Sequence, residues 1–147
     1  MKLVEKRSYR ASPEDIWGIL QDPENMPAWN PKCLTVEGIK RQEVGQKFSV
    51  CYEMNGKRSN AMGELAEYEK NRRIAFRYHY EAAARTGIVM ERFEVTPGNG
   101  MTQVVHTVDF SQSSLPLWLK WLISFFNKFG RKRGAGSLDG IADLLGE

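Results

Sequence analysis

The chain has 147 residues, 41% hydrophobic and 27% charged, with a formal net charge of +3. A chain of this size can fold as one domain, burying about 68 to 70% of its unfolded surface without metals or crosslinks, and its composition excludes a disordered or fibrous protein. The small, scattered charge gives no ground for a nucleic-acid partner.

Residues 1–10, "MKLVEKRSYR", lack the apolar core of a secretory signal, and within them residues 3–10 alternate polar and apolar as an edge strand does. Ser12 is placed to cap a helix that has Pro13 at its first position and Asp15 three residues after the cap. Ile16, Trp17, Ile19 and Leu20 form one apolar stripe of that helix, and Asp22-Pro23 ends it, because a residue before proline avoids helical geometry. Pro27 and Pro31 then confine "ENMPAWNP", residues 24–31, to a short turn.

From residue 32 to 111 the pattern has period two, with turn signals at regular intervals, which predicts antiparallel strands. These fall at 33–42, 46–54, 57–69, 72–80, 87–95 and 101–111, making seven strands with the first. Cys33 and Cys51 lie on different strands whose register does not set them opposite one another, so free thiols and a reducing, cytoplasmic setting are expected. After Ser113-Ser114-Leu115-Pro116 comes a long helical pattern, broken at "GAG", residues 134–136. It resumes from Ser137 with Leu138, Ile141, Leu144 and Leu145 on one side. The layout is α+β, with one sheet face for the C-terminal helix to cover.

Hairpin register gives the face each side chain takes. The Asn55-Gly56 turn pairs Met54 with Lys57, and counting back sets Tyr52 opposite Ser59, Val50 opposite Ala61 and Phe48 opposite Gly63, with Leu65 continuing the same side. A tight turn at Lys70-Asn71 then sets Phe76 beside Leu65, Tyr78 beside Gly63 and Tyr80 beside Ala61. Large rings thus stand on two strands around the small residues Ser59, Ala61 and Gly63, an arrangement that makes a cavity floor unless groups such as Trp118 or Phe125 of the C-terminal helix plug it. Val89, Glu91, Phe93 and Val95 share this face and meet Val108, His106 and Val104 across the Asn99-Gly100 turn. Glu91 and His106 are diagonal neighbours there. They are either an acid-base pair in an aromatic-lined pocket, and so the candidate catalytic residues, or polar groups that satisfy each other or a tyrosine hydroxyl, or a bulge turns Glu91 outward.

"YRASPEDIWGILQDPENMPAWNP", residues 9–31, resembles the N-terminal signature of the START-like superfamily, also called SRPBCC or helix-grip, which includes polyketide cyclase/dehydrase-type proteins. Ala11, Pro13, Trp17, Asp22, Trp29 and Pro31 carry the resemblance, with Val44-Gly45, "GELAEYEKNRRIAF" (63–76) and "GMT" (100–102) further on. It implies a single START-like domain over residues 1–147: a seven-stranded antiparallel sheet wrapped around a long C-terminal helix, with two short helices after the first strand closing one end of an internal pocket. The expected ligand-binding wall is Phe48, Val50, Tyr52, Ser59, Ala61, Gly63, Leu65, Phe76, Tyr78, Tyr80, Val89, Phe93, Val104 and Val108 of the inner face, together with Trp118, Leu122 and Phe125 of the helix.

Leu115, Trp118, Leu119, Leu122, Phe125, Phe126 and Phe129 follow helical spacing toward the sheet, and "RKR" at 131–133 lies beyond them. This stretch is too short, and too interrupted by lysine, to span a bilayer. It either rests on a membrane surface or partner, or ends in a solvated basic turn that suits the helix dipole. No metal-ligand spacing, phosphate loop or dinucleotide fingerprint is present, and neither a metal nor a cofactor is expected. Three functions stay open: enclosure of an apolar lipid, aromatic or polyketide-like molecule; a cyclase, aromatase or dehydratase working through His106 or Glu91; and an accessory protein that docks on a membrane or partner.

Overall fold

The computed structural model describes residues 2–39, 42–54, 56–82, 85–111 and 136–147. Seven strands, β1 (Lys2–Tyr9), β2 (Cys33–Glu37), β3 (Lys47–Met54), β4 (Lys57–Glu69), β5 (Arg73–Ala82), β6 (Arg85–Pro97) and β7 (Thr102–Asp109), form one antiparallel sheet in the order β1-β7-β6-β5-β4-β3-β2. Helix α1 spans Pro13–Leu20, α2 Met26–Trp29 and α3 Ser137–Leu145. This is an α+β, helix-grip-like sheet with a helix at its C-terminal end. The long helical pattern expected over 115–133, with Trp118, Leu122 and Phe125, lies outside the described residues.

The first corner is built as its sequence dictates. Ser12 accepts a hydrogen bond from Asp15 N (3.2 Å), Pro13 opens α1, and Ile16, Trp17 and Leu20 are buried. Asp22 then accepts from Glu24 N (3.0 Å) to cap a one-turn 3-10 segment, Pro23–Asn25, which runs into the single turn of α2. The closely spaced prolines keep each piece to a turn or two, and the result buries Met26 and Trp29 beside Trp17 and Leu20 in one core.

The expected register of the sheet holds at Phe48↔Gly63, Val50↔Ala61, Tyr52↔Ser59, Leu65↔Phe76, Gly63↔Tyr78, Phe93↔His106 and Val95↔Val104. The β4–β5 connection reaches it differently. Glu69 pairs with Arg73, leaving Lys70, Asn71 and Arg72 in a three-residue loop with Asn71 at φ 62°, and a bulge between Leu65 and Glu67 takes up the extra residue. β2 stops at Glu37, short of the expected residue 42, because the chain turns at Gly38 with φ +90°.

The core clusters where the three helices meet the sheet. On α3 the buried residues are Leu138, Ile141 and Ala142, while Leu144, expected on that side, is 48% exposed. The packed stripe follows i, i+3, i+4, and position 144 rotates off it. α3 lies directly against the α2 backbone: a Cβ on Gly140 would collide with the Trp29 carbonyl oxygen. Tyr9 OH donates to Leu138 O (2.7 Å) and Arg7 pairs with Asp139 (2.8 Å), fastening α3 to β1. Glu147 accepts hydrogen bonds from the backbone N–H of Arg10 (2.6 Å) and Ala11 (3.2 Å).

Candidate functional site

Tyr78 on β5, Glu91 on β6 and His106 on β7 converge on the inner face of three adjacent strands. Glu91 is only 7% exposed and His106 8%, so both must satisfy their polar atoms inside the protein. His106 Nε2 lies 2.9 Å from one Glu91 carboxylate oxygen, and Tyr78 OH donates to the other at 3.0 Å. The Tyr78 hydroxyl also lies 3.4 Å from Met26 Sδ.

Aromatic rings surround this network. Phe93 stacks on the His106 ring with centroids 4.3 Å apart and planes 8° from parallel, and Trp29 meets Phe93 edge-on at 5.2 Å. The Phe48 and Tyr78 rings meet edge-on at 6.3 Å. Burial, and then the nearby Glu91 charge and hydrogen bond, push the Tyr78 hydroxyl well above its ordinary pKa, so it stays a protonated donor. Cys33, also buried, has its thiol pushed up to about 11, first by burial and then by the charge of Glu91. It and Cys51 are free cysteines.

The inner-face residues expected from sequence divide into zones. Phe48, Val50, Ala61, Leu65, Phe76, Phe93 and Val104 are buried; Tyr52, Tyr78, Val89 and Val108 are half-buried, and Ser59 is exposed. The side chain of Tyr80 lies outside the described residues, as do Trp118, Leu122 and Phe125. The hollow expected over Gly63 is absent there: a Cβ on Gly63 would run into the Phe48 ring, which fills the space the missing side chain leaves. Small side chains on a strand leave room only where a neighbouring ring does not lean in. A cleft of about 590 Å³ between the start of α1 and the β4–β5 loop is lined by Pro13, Glu14, Arg72, Arg73 and Glu94 among others, and is separate from this face.

Three neighbours of the site escape hairpin counting. Met26 and Trp29 arrive from α2, and Glu5 of β1 stands opposite His106 across the β1–β7 ladder. β1 and β7 are far apart in sequence, so no turn fixes their register, although the strict alternation of β1 marks Glu5 as sharing a face with Arg7 and Tyr9. Among the described residues there is no group of three metal-ligating side chains, and no helix is long and apolar enough to cross a membrane.

The family model for polyketide cyclase / dehydrase and lipid transport proteins matches residues 1–146. The chain belongs to that family. This polyketide cyclase / dehydrase-type chain is also similar in fold to solved structures. The protein TTHA0849 from Thermus thermophilus superposes with a TM-score of 0.72 at 16% identity, over 100% of this chain and 99% of that one. A START superfamily protein from Mycobacterium smegmatis gives 0.68 at 19% identity, over 98% and 93%. Ginseng major latex-like protein 151 from Panax ginseng gives 0.65 at 13% identity, over 88% and 95%. No curated protein is significantly similar to the chain in sequence.

Proposed function

We propose that this polyketide cyclase / dehydrase-type chain, as one START-like domain, encloses an apolar small molecule of lipid, aromatic or polyketide-like character against the inner face of its sheet. The observation that carries this reading is the buried Glu91–His106 pair, joined by half-buried Tyr78 and set among aromatic rings. An apolar wall supplies affinity and a few convergent polar atoms supply orientation, the usual composition of a small-molecule site. Half-buried Tyr52, Tyr78, Val89 and Val108 extend that wall beyond the sealed core. The family's description, which names lipid transport, supports the same class of ligand.

The test is titration with 1-anilinonaphthalene-8-sulfonate, an anionic fluorescent probe whose aromatic rings seek apolar sites. Saturable one-site binding in the micromolar range, about −8 kcal/mol, is expected; a natively folded chain that gives no saturable signal refutes the reading.

A second reading has a specific observation in its favour. The 2.9 Å contact between His106 and Glu91 is the arrangement in which a carboxylate orients an imidazole for proton transfer, so a bound substrate can be turned over by acid-base chemistry, as in a cyclase or dehydratase. Replacing His106 with alanine then abolishes turnover of a substrate while apolar probes still bind. Turnover that survives the replacement rules this reading out.

A further inference from the structure

The inner face of the sheet changes character between two neighbouring rows of residues. Leu65, Phe76 and Glu91, paired across β4, β5 and β6, are all buried. In the next row, Phe48, Gly63, Tyr78 and Val89 stand side by side on β3 to β6. Phe48 is 2% exposed and Gly63 is buried, whereas Tyr78 and Val89 are half-buried. The sealed core thus ends, and the half-buried wall begins, within that one row.

Phe48 is the side chain that closes the boundary. Its ring leans across the ladder over Gly63, where even one methyl group on β4 would collide with three of its atoms. The ring meets Phe76 of the sealed row edge-on at 6.1 Å and Tyr78 of the half-buried wall edge-on at 6.3 Å. Tyr78 in turn donates to Glu91 at 3.0 Å, so the Phe48 ring stands one side chain away from the polar network. Because glycine faces it on β4, the space that the ring occupies is filled by Phe48 alone and by nothing from the strand beneath.

We infer that Phe48 determines ligand size: its ring is the closed end of the site, and an apolar molecule lying against Tyr78 extends toward β3 only as far as this ring. The inference rests on the binding reading above and adds the residue that sets how many fused rings the site accepts. Shortening Phe48 leaves a ring-sized void between Gly63, Phe76 and Tyr78. An apolar void of that kind strips its walls of contacts and stays dry, so a ligand's extra ring gains by entering it.

The test is fluorescence titration with 2-aminonaphthalene and 2-aminoanthracene, neutral arenes that differ by one ring. In the native chain the three-ring compound is expected to bind no more tightly than the two-ring one. In Phe48→Ala its affinity relative to the two-ring compound is expected to rise about tenfold, which corresponds to burying roughly 50 Å² more apolar surface. Phe48→Leu, a milder change that serves if the alanine variant fails to fold, is expected to raise the ratio about threefold. Nuclear Overhauser contacts between the ring protons of bound 2-aminonaphthalene and those of Phe48 in the native chain provide a readout independent of any variant. A ratio that stays the same in the native chain and the folded variants, or a failure of 2-aminonaphthalene to contact Phe48, overturns the inference. If 1-anilinonaphthalene-8-sulfonate binds and either of those results is found, only this inference falls. If none of the three compounds binds the native chain, the binding reading falls and takes the inference with it.

Discussion

Replacing glycine by alanine inside an exposed helix normally stabilises a protein by up to about 1 kcal/mol. At Gly140 the opposite sign is expected. The new methyl group would meet the Trp29 carbonyl and lie within 3.0 Å of Trp29 Cα, and backbone atoms cannot rotate aside as a side-chain tip does. α3 must therefore move outward by about 1 Å, a gap that forfeits up to half of the contact energy across the α2–α3 interface. Burial of Leu138 and Ile141 is worth about 3 to 6 kcal/mol together, so the loss is about 1.5 to 3 kcal/mol. Allowing about 1 kcal/mol for the helix preference leaves Gly140→Ala less stable by about 0.5 to 2 kcal/mol. With a urea dependence of about 2 kcal/mol per molar, the unfolding midpoint drops by about 0.25 to 1 M. Gly18 in α1 is the control: a methyl group there meets nothing within 4 Å, and Gly18→Ala is expected to raise the midpoint. A Gly140→Ala protein as stable as the native chain would show that α3 does not rest on the α2 backbone in this way.

Three further outcomes are expected. In a double-mutant cycle of Glu91→Leu and His106→Leu followed by urea unfolding, each single change is costly, about 3 to 5 kcal/mol for stranding a buried partner, while the double change costs less than their sum; simple additivity would contradict a coupled pair. Cys33, whose buried thiol stays protonated at pH 8, is expected to react with a thiol-modifying dye only after urea is added, whereas half-buried Cys51 reacts in the native protein, and mass mapping of the labelled peptides decides between them. Glu67 is held below its usual pKa chiefly by its bidentate bond to Arg92 (3.2 and 2.7 Å), so the unfolded chain binds the proton first. Its stabilising contribution is present above about pH 4.5 and is lost as pH falls through the lower folded value. Glu67→Gln is therefore expected to show a shallower loss of melting temperature on acidification than the native chain, and parallel curves would refute the pairing.

The alternation of the strands makes most of the sheet legible, because each hairpin turn ties the face of one strand to the next. This is why the sequence alone sets Glu91 and His106 diagonally, in keeping with their 2.9 Å contact. Where the tight-turn rule errs for β4 and β5, at the loop after Glu69, the bulge before Glu67 restores the parity and the pairing at Leu65 and Phe76. Glu5 is less legible, since pairing between distant segments has no local signal. The fate of the space over Gly63 depends on which rotamer Phe48 adopts, and composition does not specify that. Leu144 is misplaced for a similar reason: a nine-residue helix has several apolar stripes, and contact with Trp29 through Gly140 selects among them.

The pairing of Lys2 with Asp109 has a consequence for how the molecule is made. During synthesis at about 5 to 20 residues per second, β1 waits roughly 5 to 20 s for its ladder partner to leave the ribosome. Until then β1 cannot form the seam that joins an early segment to a late one. Ribosome-bound chains stopped before that seam are expected to leave the ladder edge of β1 unpaired and open to chaperones and proteases.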